Sequence, residues 1–235
     1  MLDLLRNRFR QRTDPVPMPA TSASLPPRFR GRPAVLEASG ADASRSLPVI
    51  DLGCSVFAPE EFAEGSRVAA FTIDYRMAVR TREALVTSTG EVELAAALDA
   101  KMRALLGRSL RLRSVAAGSC GGCEAELTAL GNVVFDMARF GVQFVASPRH
   151  ADGIVVSGVV SANMREALEK TYDAVPDPKI VIAVGACAIS GGVFRESAEA
   201  TGIPPSIPVD LWIPGCPPHP LTILDGLLRL LDKVR

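Results

Sequence analysis

The chain has 235 residues, 48% of them hydrophobic, and its 26 basic residues balance 26 acidic ones, so the formal net charge is zero. This length fits one ordinary domain with an additional segment, or two small domains. A neutral chain is not expected to bind nucleic acid or a membrane surface through bulk charge. No apolar run approaches the roughly 20 residues that span a bilayer, and the first residues lack the features of a secretory signal. We therefore expect a cytoplasmic protein.

Residues 1–32 form a predicted basic N-terminal arm. Prolines interrupt any helix there. Arginines recur along it, at Arg6, Arg8, Arg10, Arg12, Arg28, Arg30 and Arg32. An arm of this kind is not a self-contained fold. We expect it either to lie on a partner subunit or on acidic lipid head groups, or to be a solvated tail.

The sequence predicts a small α+β segment over residues 33–110. The runs LPVIDLG and VAAFTIDY are typical of short strands. The run ELAAALDAKMRALLG carries apolar side chains at helical spacing, which predicts an amphipathic helix.

The sequence predicts a separate α/β domain over residues 111–235, because short apolar strand patterns alternate there with helix patterns. The strands are predicted within RLRSVAAG, VQFVAS, GIVVSG, IVIAVGA and VDLWIPG, and the helices at about 124–139, at about 162–174 and through LTILDGLLRLLDKV. This alternation is typical of a parallel sheet that is covered by helices on both faces.

Four of the five cysteines lie in glycine- and proline-rich loops that follow predicted strands. Cys120 and Cys123 follow the first of these strands, Cys187 follows the strand in IVIAVGA, and Cys216 follows the strand in VDLWIPG. The loops after parallel strands gather at one edge of a sheet, where ligand sites form. We therefore expect the four thiols to converge although they are far apart in the sequence.

An iron–sulfur cluster suits these cysteines, because such clusters are held by thiolates and tuned by backbone N–H groups, which the neighbouring glycines allow to approach. Cys120 and Cys123 also precede a predicted helix, whose N-terminal dipole favours thiolate. Three alternatives remain open. Four thiolates also bind zinc, usually as two close pairs. The cysteines could instead be buried core residues, or Cys120 and Cys123 could form a redox pair that leaves the other two unexplained.

The chain also resembles a known family over residues 111–233. The runs that carry the resemblance are GSCGGCEAE, SPRHADGIVVSG, DPKIVIAVGACAISGG and VDLWIPGCPPHPLTILDGLL. They are similar to the small cluster-bearing subunit of membrane-bound energy-converting nickel–iron hydrogenases of the hydrogenase-4 and formate hydrogenlyase type. That family is related to the quinone-proximal iron–sulfur subunit of respiratory complex I.

The resemblance implies a flavodoxin-like, doubly wound α/β fold with one 4Fe–4S cluster, bound by Cys120, Cys123, Cys187 and Cys216. It implies an electron-transfer subunit that docks on a large catalytic subunit, with other iron–sulfur subunits and membrane subunits in the same complex and no nucleic acid. The expected location is therefore peripheral, at the cytoplasmic face of the inner membrane. No nickel–iron ligand set is evident in this chain.

Four further residues match the family pattern near the cluster. Glu126 matches an acidic residue beside the cluster and the large-subunit interface, although a carboxylate near a helix N-terminus has a simpler explanation. Arg149 and His150 match the SPRHAD pattern, where a positive group could raise the cluster potential, or they belong to a plain surface loop. His219 could titrate together with the cluster.

The spacing of the first two cysteines separates the two branches of the family. Related complex I subunits have two adjacent cysteines, whereas two glycines separate Cys120 from Cys123. This favours the hydrogenase branch. A complex I-like role next to a quinone site remains an alternative, and so does a zinc-stabilised assembly scaffold.

The fifth cysteine, Cys54, lies in a segment that resembles a ferredoxin-like module of some family members. Such modules need C-x2-C-x2-C-x3-C-P runs. Counted from Cys54, those positions hold Phe57, Glu60, Glu64 and Gly65. Our hypothesis is that residues 33–90 derive from a ferredoxin module that has lost its clusters. The alternative is an unrelated linker in which Cys54 is a small buried residue.

Overall fold

This computed structural model describes residues 16–20, 25, 29–35, 50–55, 68–87, 91–106, 109–200 and 202–234. The strands are β1 (Pro33–Val35), β2 (Ile50–Asp51), β3 (Val68–Phe71), β4 (Val86–Thr87), β5 (Leu110–Ala116), β6 (Val142–Phe144), β7 (Gly153–Ser157), β8 (Ile180–Val184) and β9 (Leu211–Ile213). The helices are α1 (Leu52–Ser55), α2 (Ala100–Leu106), α3 (Gly122–Ala129), α4 (Ala162–Asp173), α5 (Ala186–Ser190) and α6 (Pro220–Leu230).

The main sheet has the strand order β6-β5-β7-β8-β9, and every neighbouring pair is parallel. This is the order of flavodoxin-like doubly wound sheets, so the predicted fold class is confirmed. One register row crosses four strands at their last residues. Its members, which we call the terminal row, are Ala116, Ser157, Val184 and Ile213.

Apolar side chains cover both faces of this sheet. Ile154 and Val156 of β7 belong to the core on one face, where Leu168 of α4 packs. Val155 belongs to the core on the opposite face, to which α3 contributes Leu127 and α6 most of its apolar side chains. Every residue of β7 and β8 is buried, as expected for central parallel strands.

Two of the predicted helices are shorter than expected. The helix predicted to run to about residue 139 ends at Ala129. Beyond it, Asn132 Oδ1 accepts hydrogen bonds from the N–H groups of Val134 at 2.8 Å and Phe135 at 3.0 Å, which turns the chain.

The amphipathic helix predicted over 93–107 begins only at Ala100. The residues before it bond to the core instead. The N–H of Ala95 donates to the carbonyl of Ala78 at 2.8 Å, and that of Leu98 donates to the carbonyl of Leu230 at 3.0 Å.

The α+β segment before the main sheet packs against the sheet's β9 edge. The described residues of this segment form two antiparallel pairs, β1 with β3 and β2 with β4. Val79 exchanges backbone hydrogen bonds with Trp212 of β9 at 3.0 and 2.9 Å. Ile50 and Leu85 share a buried cluster with Ala183 and Ile189 of the sheet domain. The division of the chain at residues 32/33 and 110/111 stays a prediction.

Parts of the N-terminal arm contact the folded chain. The N–H of Val16 donates to the carbonyl of Val134 at 2.7 Å, and the N–H of Ala20 donates to the hydroxyl of Tyr75 at 2.7 Å. Arg32 lies 3.5 Å from a carboxylate oxygen of Asp74.

Other predictions for this half of the chain fall outside the described residues. They concern the basic run and the cysteine remnant, at Arg6, Arg8, Arg10, Arg12, Arg28, Phe57, Glu60, Glu64 and Gly65. Cys54 belongs to α1 by its backbone, but its side chain lies outside the described part. The ferredoxin origin of residues 33–90 therefore stays a hypothesis.

A buried ion pair lies within α6. The guanidinium Nε of Arg229 donates to Asp225 Oδ2 at 2.8 Å, and Asp225 is fully buried. Burial raises the pKa of Asp225, and the hydrogen bond from Arg229 opposes that rise. Removing one member of such a pair leaves an uncompensated charge in the core.

We expect Arg229→Met to lower the free energy of unfolding by about 3–5 kcal/mol, because it strands the Asp225 carboxylate. The double variant Asp225→Leu/Arg229→Met removes both charges and should recover most of that loss. Chemical denaturation followed by circular dichroism measures both. A single variant as stable as the wild type would contradict the buried pair.

Candidate iron–sulfur site

The four sheet-domain cysteines lie in loops at the carboxyl edge of the sheet. The terminal row ends β5, β7, β8 and β9 at one level. The connection from β5 to α3 carries Cys120 and leads to Cys123 in the first turn of the helix, Cys187 lies in α5 directly after β8, and Cys216 follows β9.

These loops are in direct contact with one another. The N–H of Gly185 donates to the carbonyl of Ile213 at 2.9 Å, and that of Ala186 donates to the carbonyl of Gly215 at 2.8 Å. These bonds tie the Cys187 loop to the Cys216 loop. A Cβ added to Gly185 would lie 2.5 Å from Cys123 Sγ. The segments that carry Cys123, Cys187 and Cys216 therefore pack directly against one another.

The electrostatic environment agrees with this proximity of the thiols. Burial raises the pKa of Cys123 to about 12, helped by the negative charges of Glu124, Cys187, Cys216 and Cys120. Burial and the Cys216 and Cys120 thiolates also raise the pKa of Cys187. Four thiolates at this edge would repel one another, so bound cationic metal would relieve an unfavourable arrangement.

A cavity of about 420 Å³ opens beside three of these cysteines. Cys120, Cys187 and Cys216 line it. Val159 and Phe194 supply apolar walls. Cys123 lies deeper, with 9% of its surface exposed.

The four thiols have the donor chemistry of a cluster site. Among the described residues, which include all four of these cysteines, no three metal-binding side chains are placed to hold one metal ion. In a cluster, each thiolate binds a different iron, so the sulfurs need not meet at one point. Gly192 supports the fit, since a Cβ there would lie 2.9 Å from Cys187 Sγ.

Two of the other candidate residues lie close to the cysteine loops. Glu126 is half-buried in α3, and burial raises its pKa. His219 is the N-cap of α6, where its Nδ1 accepts from the N–H of Leu221 at 3.2 Å. Its ring meets Phe29 and Phe135 edge-on. Burial lowers the pKa of His219, which favours the neutral ring that this cap needs.

Arg149 and His150 are not brought together with the cysteines by any described contact. Both are exposed in a 3-10 turn, Pro148–His150, that leads towards β7. Two residues after His150, Asp152 Oδ2 accepts a hydrogen bond from the N–H of Arg111 at 2.7 Å, near the amino-terminal end of β5. The proposed influence of Arg149 and His150 on a cluster stays a prediction.

Glu124 is a site residue that no motif in the sequence marks. Its Oε1 accepts a short hydrogen bond from the hydroxyl of Ser157, a fully buried member of the terminal row. The sequence signal for Glu124 is its position directly after Cys123, in the first turn of a helix. Nothing local in the sequence marks Ser157.

Comparison with known proteins places the chain among respiratory and hydrogenase subunits. The family model described as NADH ubiquinone oxidoreductase, 20 Kd subunit, matches residues 120–230. The probable membrane-bound hydrogenase subunit mbhJ of Pyrococcus furiosus is 44% identical over 136 residues, which are 57% of this chain and 81% of that protein. The chain therefore belongs to the family of the NADH ubiquinone oxidoreductase 20 Kd subunit.

Family members of both branches are similar to the chain. A subunit of the NADH-quinone oxidoreductase of Citrifermentans bemidjiense is 47% identical over 112 residues, which are 48% of this chain and 66% of that relative. A solved structure of the membrane-bound sulfane sulfur reductase, an archaeal respiratory membrane complex, matches with a TM-score of 0.50 and 31% identity. The match covers 57% of this chain and 75% of the other.

The relatives are subunits of oxidoreductases, and two of the three are named for membrane-bound complexes. No helix in the described ranges is long and apolar enough to cross a bilayer.

The close packing at Gly185 can be tested with a second glycine as the control. Gly185 and Gly121 share a φ of +88°, with ψ angles of 157° and −10°, and a Cβ at Gly121 would meet nothing within 4 Å. We expect Gly121→Ala to cost about 1–2 kcal/mol from its left-handed backbone. Gly185→Ala should cost about 1–3 kcal/mol more, because its backbone conformation is essentially restricted to glycine and its methyl group overlaps Cys123. Equal losses in urea unfolding would rule out this contact.

Proposed function

We propose that this chain is the electron-transfer subunit of a multisubunit, membrane-associated oxidoreductase and holds one 4Fe–4S cluster on Cys120, Cys123, Cys187 and Cys216. The observation that carries the proposal is the placement of all four thiols at the carboxyl edge of one parallel sheet. When bound, such a cluster supplies reversible one-electron oxidation and reduction. The chain itself carries out no bond chemistry.

The chain's own residues hold the thiolates and shield them. The terminal row sets the level from which each loop departs, and the bonds of Gly185 and Ala186 hold two of the loops together. The apolar side chains of Val159 and Phe194 border the cavity. A dry, rigid surrounding keeps the thiolates in place and contributes to the reduction potential.

The proposed partners are a large catalytic subunit, other iron–sulfur subunits and membrane subunits. The relatives' names support such a complex. The proposed location of this chain is peripheral, at the cytoplasmic face of the inner membrane. The spacing between Cys120 and Cys123 supports a hydrogenase-like catalytic partner.

A second candidate is a complex I-like role beside a quinone site. It is supported by the 47% identity to a subunit of NADH-quinone oxidoreductase. The apolar side of the cavity, at Val193 and Phe194, also suits a hydrophobic ligand. Quinone-dependent activity without hydrogen uptake in the purified complex would favour this candidate, whereas hydrogen uptake would favour the first.

Cys216→Ser should remove one 4Fe–4S signal from the electron paramagnetic resonance spectrum of the reduced, purified complex, because a hydroxyl is a poor substitute for a thiolate ligand. Cys54→Ser is the matched control and should leave every signal in place. An unchanged spectrum for Cys216→Ser would refute the ligand assignment.

Metal analysis of the purified chain separates the cluster from the zinc scaffold. We expect a brown protein with about four irons per chain, as one four-iron cluster requires. A colourless protein with one zinc and no iron would instead support the scaffold. Eight or more irons would contradict the hypothesis that residues 33–90 have lost their clusters.

A further inference from the structure

The carboxylate of Glu124 is held against the centre of the sheet. Its Oε1 accepts from the hydroxyl of Ser157, which ends the central strand β7 and is fully buried. The hydroxyl of Ser119, next to Cys120, interacts with the same carboxylate. Glu124 thus links the cysteine loop after β5 to the buried end of the central strand.

The second carboxylate oxygen has no such partner. Glu124 Oε2 is shielded from solvent, and no described residue donates a hydrogen bond to it. The carboxylate is therefore held at one oxygen by Ser157 and lacks a described donor at the other.

Glu124 lies beside two of the cysteines. It directly follows Cys123 in the first turn of α3, and Ser119, whose hydroxyl interacts with its carboxylate, directly precedes Cys120. The carboxylate is therefore held within the segment that carries both cysteines, at the edge of the sheet where Cys187 and Cys216 also lie.

We propose that Glu124, anchored by Ser157, is a positioning residue that fixes the Cys123 end of the cysteine loop and lowers the reduction potential of the bound cluster. The inference rests on the proposed function. Reduction adds an electron to the cluster, so a fixed negative charge beside it makes reduction less favourable. The interior screens this charge less than water would.

The test is a redox titration of the complex carrying the full chain, followed by electron paramagnetic resonance. Glu124→Gln is nearly isosteric and removes the charge, so the midpoint potential of this chain's cluster should rise. Glu124→Asp retains the charge and should stay near the wild-type potential although its reach to Ser157 is shorter. Glu166→Gln, on exposed α4, removes the same charge at the surface and should change nothing.

Each possible result of these measurements supports or overturns the inference about Glu124. A potential that does not move in Glu124→Gln overturns the inference, and so does an equal rise in Glu124→Asp, because that variant keeps the charge. If Glu124→Gln fails to bind iron, Glu124→Asp with a normal cluster and potential supports the inference, and Glu124→Asp without iron overturns it. A wild-type chain that binds no cluster overturns the proposed function itself, which iron analysis detects before any titration.

Discussion

The constraint on which the site depends is the register of the parallel sheet. Because Ala116, Ser157, Val184 and Ile213 are paired across neighbouring strands, four strands end at one level. The segments that carry Cys120, Cys187 and Cys216 start from that level. Hydrogen bonds within the ladders thus convert distances of tens of residues along the chain into contacts between loops. A shift of one residue in β8 would move Cys187 relative to the other cysteines and reverse its inward side chains.

The site combines close packing with electrostatic conflict. Backbone at Gly185 and Gly192 approaches two of the sulfurs so closely that no side chain fits between them. Burial raises the pKa of Cys123 to about 12, and the negative charges of Glu124 and of the other three cysteines add to that rise. The thiol form of Cys123 is therefore favoured without metal, and a metal that binds Cys123 must displace its proton.

The fold class was predictable from the sequence because GIVVS and IVIAV are continuous apolar runs, typical of central parallel strands. The placement of Cys187 and Cys216 followed from the same pattern. The end of α3 was not predictable from periodicity alone, since the side chain of Asn132 competes for backbone N–H groups locally. Glu124 was missed because its partner, Ser157, lies on another strand, and only the sheet register brings the two together.

The contact between Val79 and Trp212 has a consequence for solubility. β9 is one of the two edge strands of the sheet, and its unpaired backbone groups would offer a template to another chain. The two hydrogen bonds to Val79 occupy the centre of that short strand, and the α+β segment covers it. The family match spans residues 120–230 and leaves Val79 outside. A relative that shares only the matched region must therefore protect this edge by other means, such as charged side chains or a neighbouring subunit.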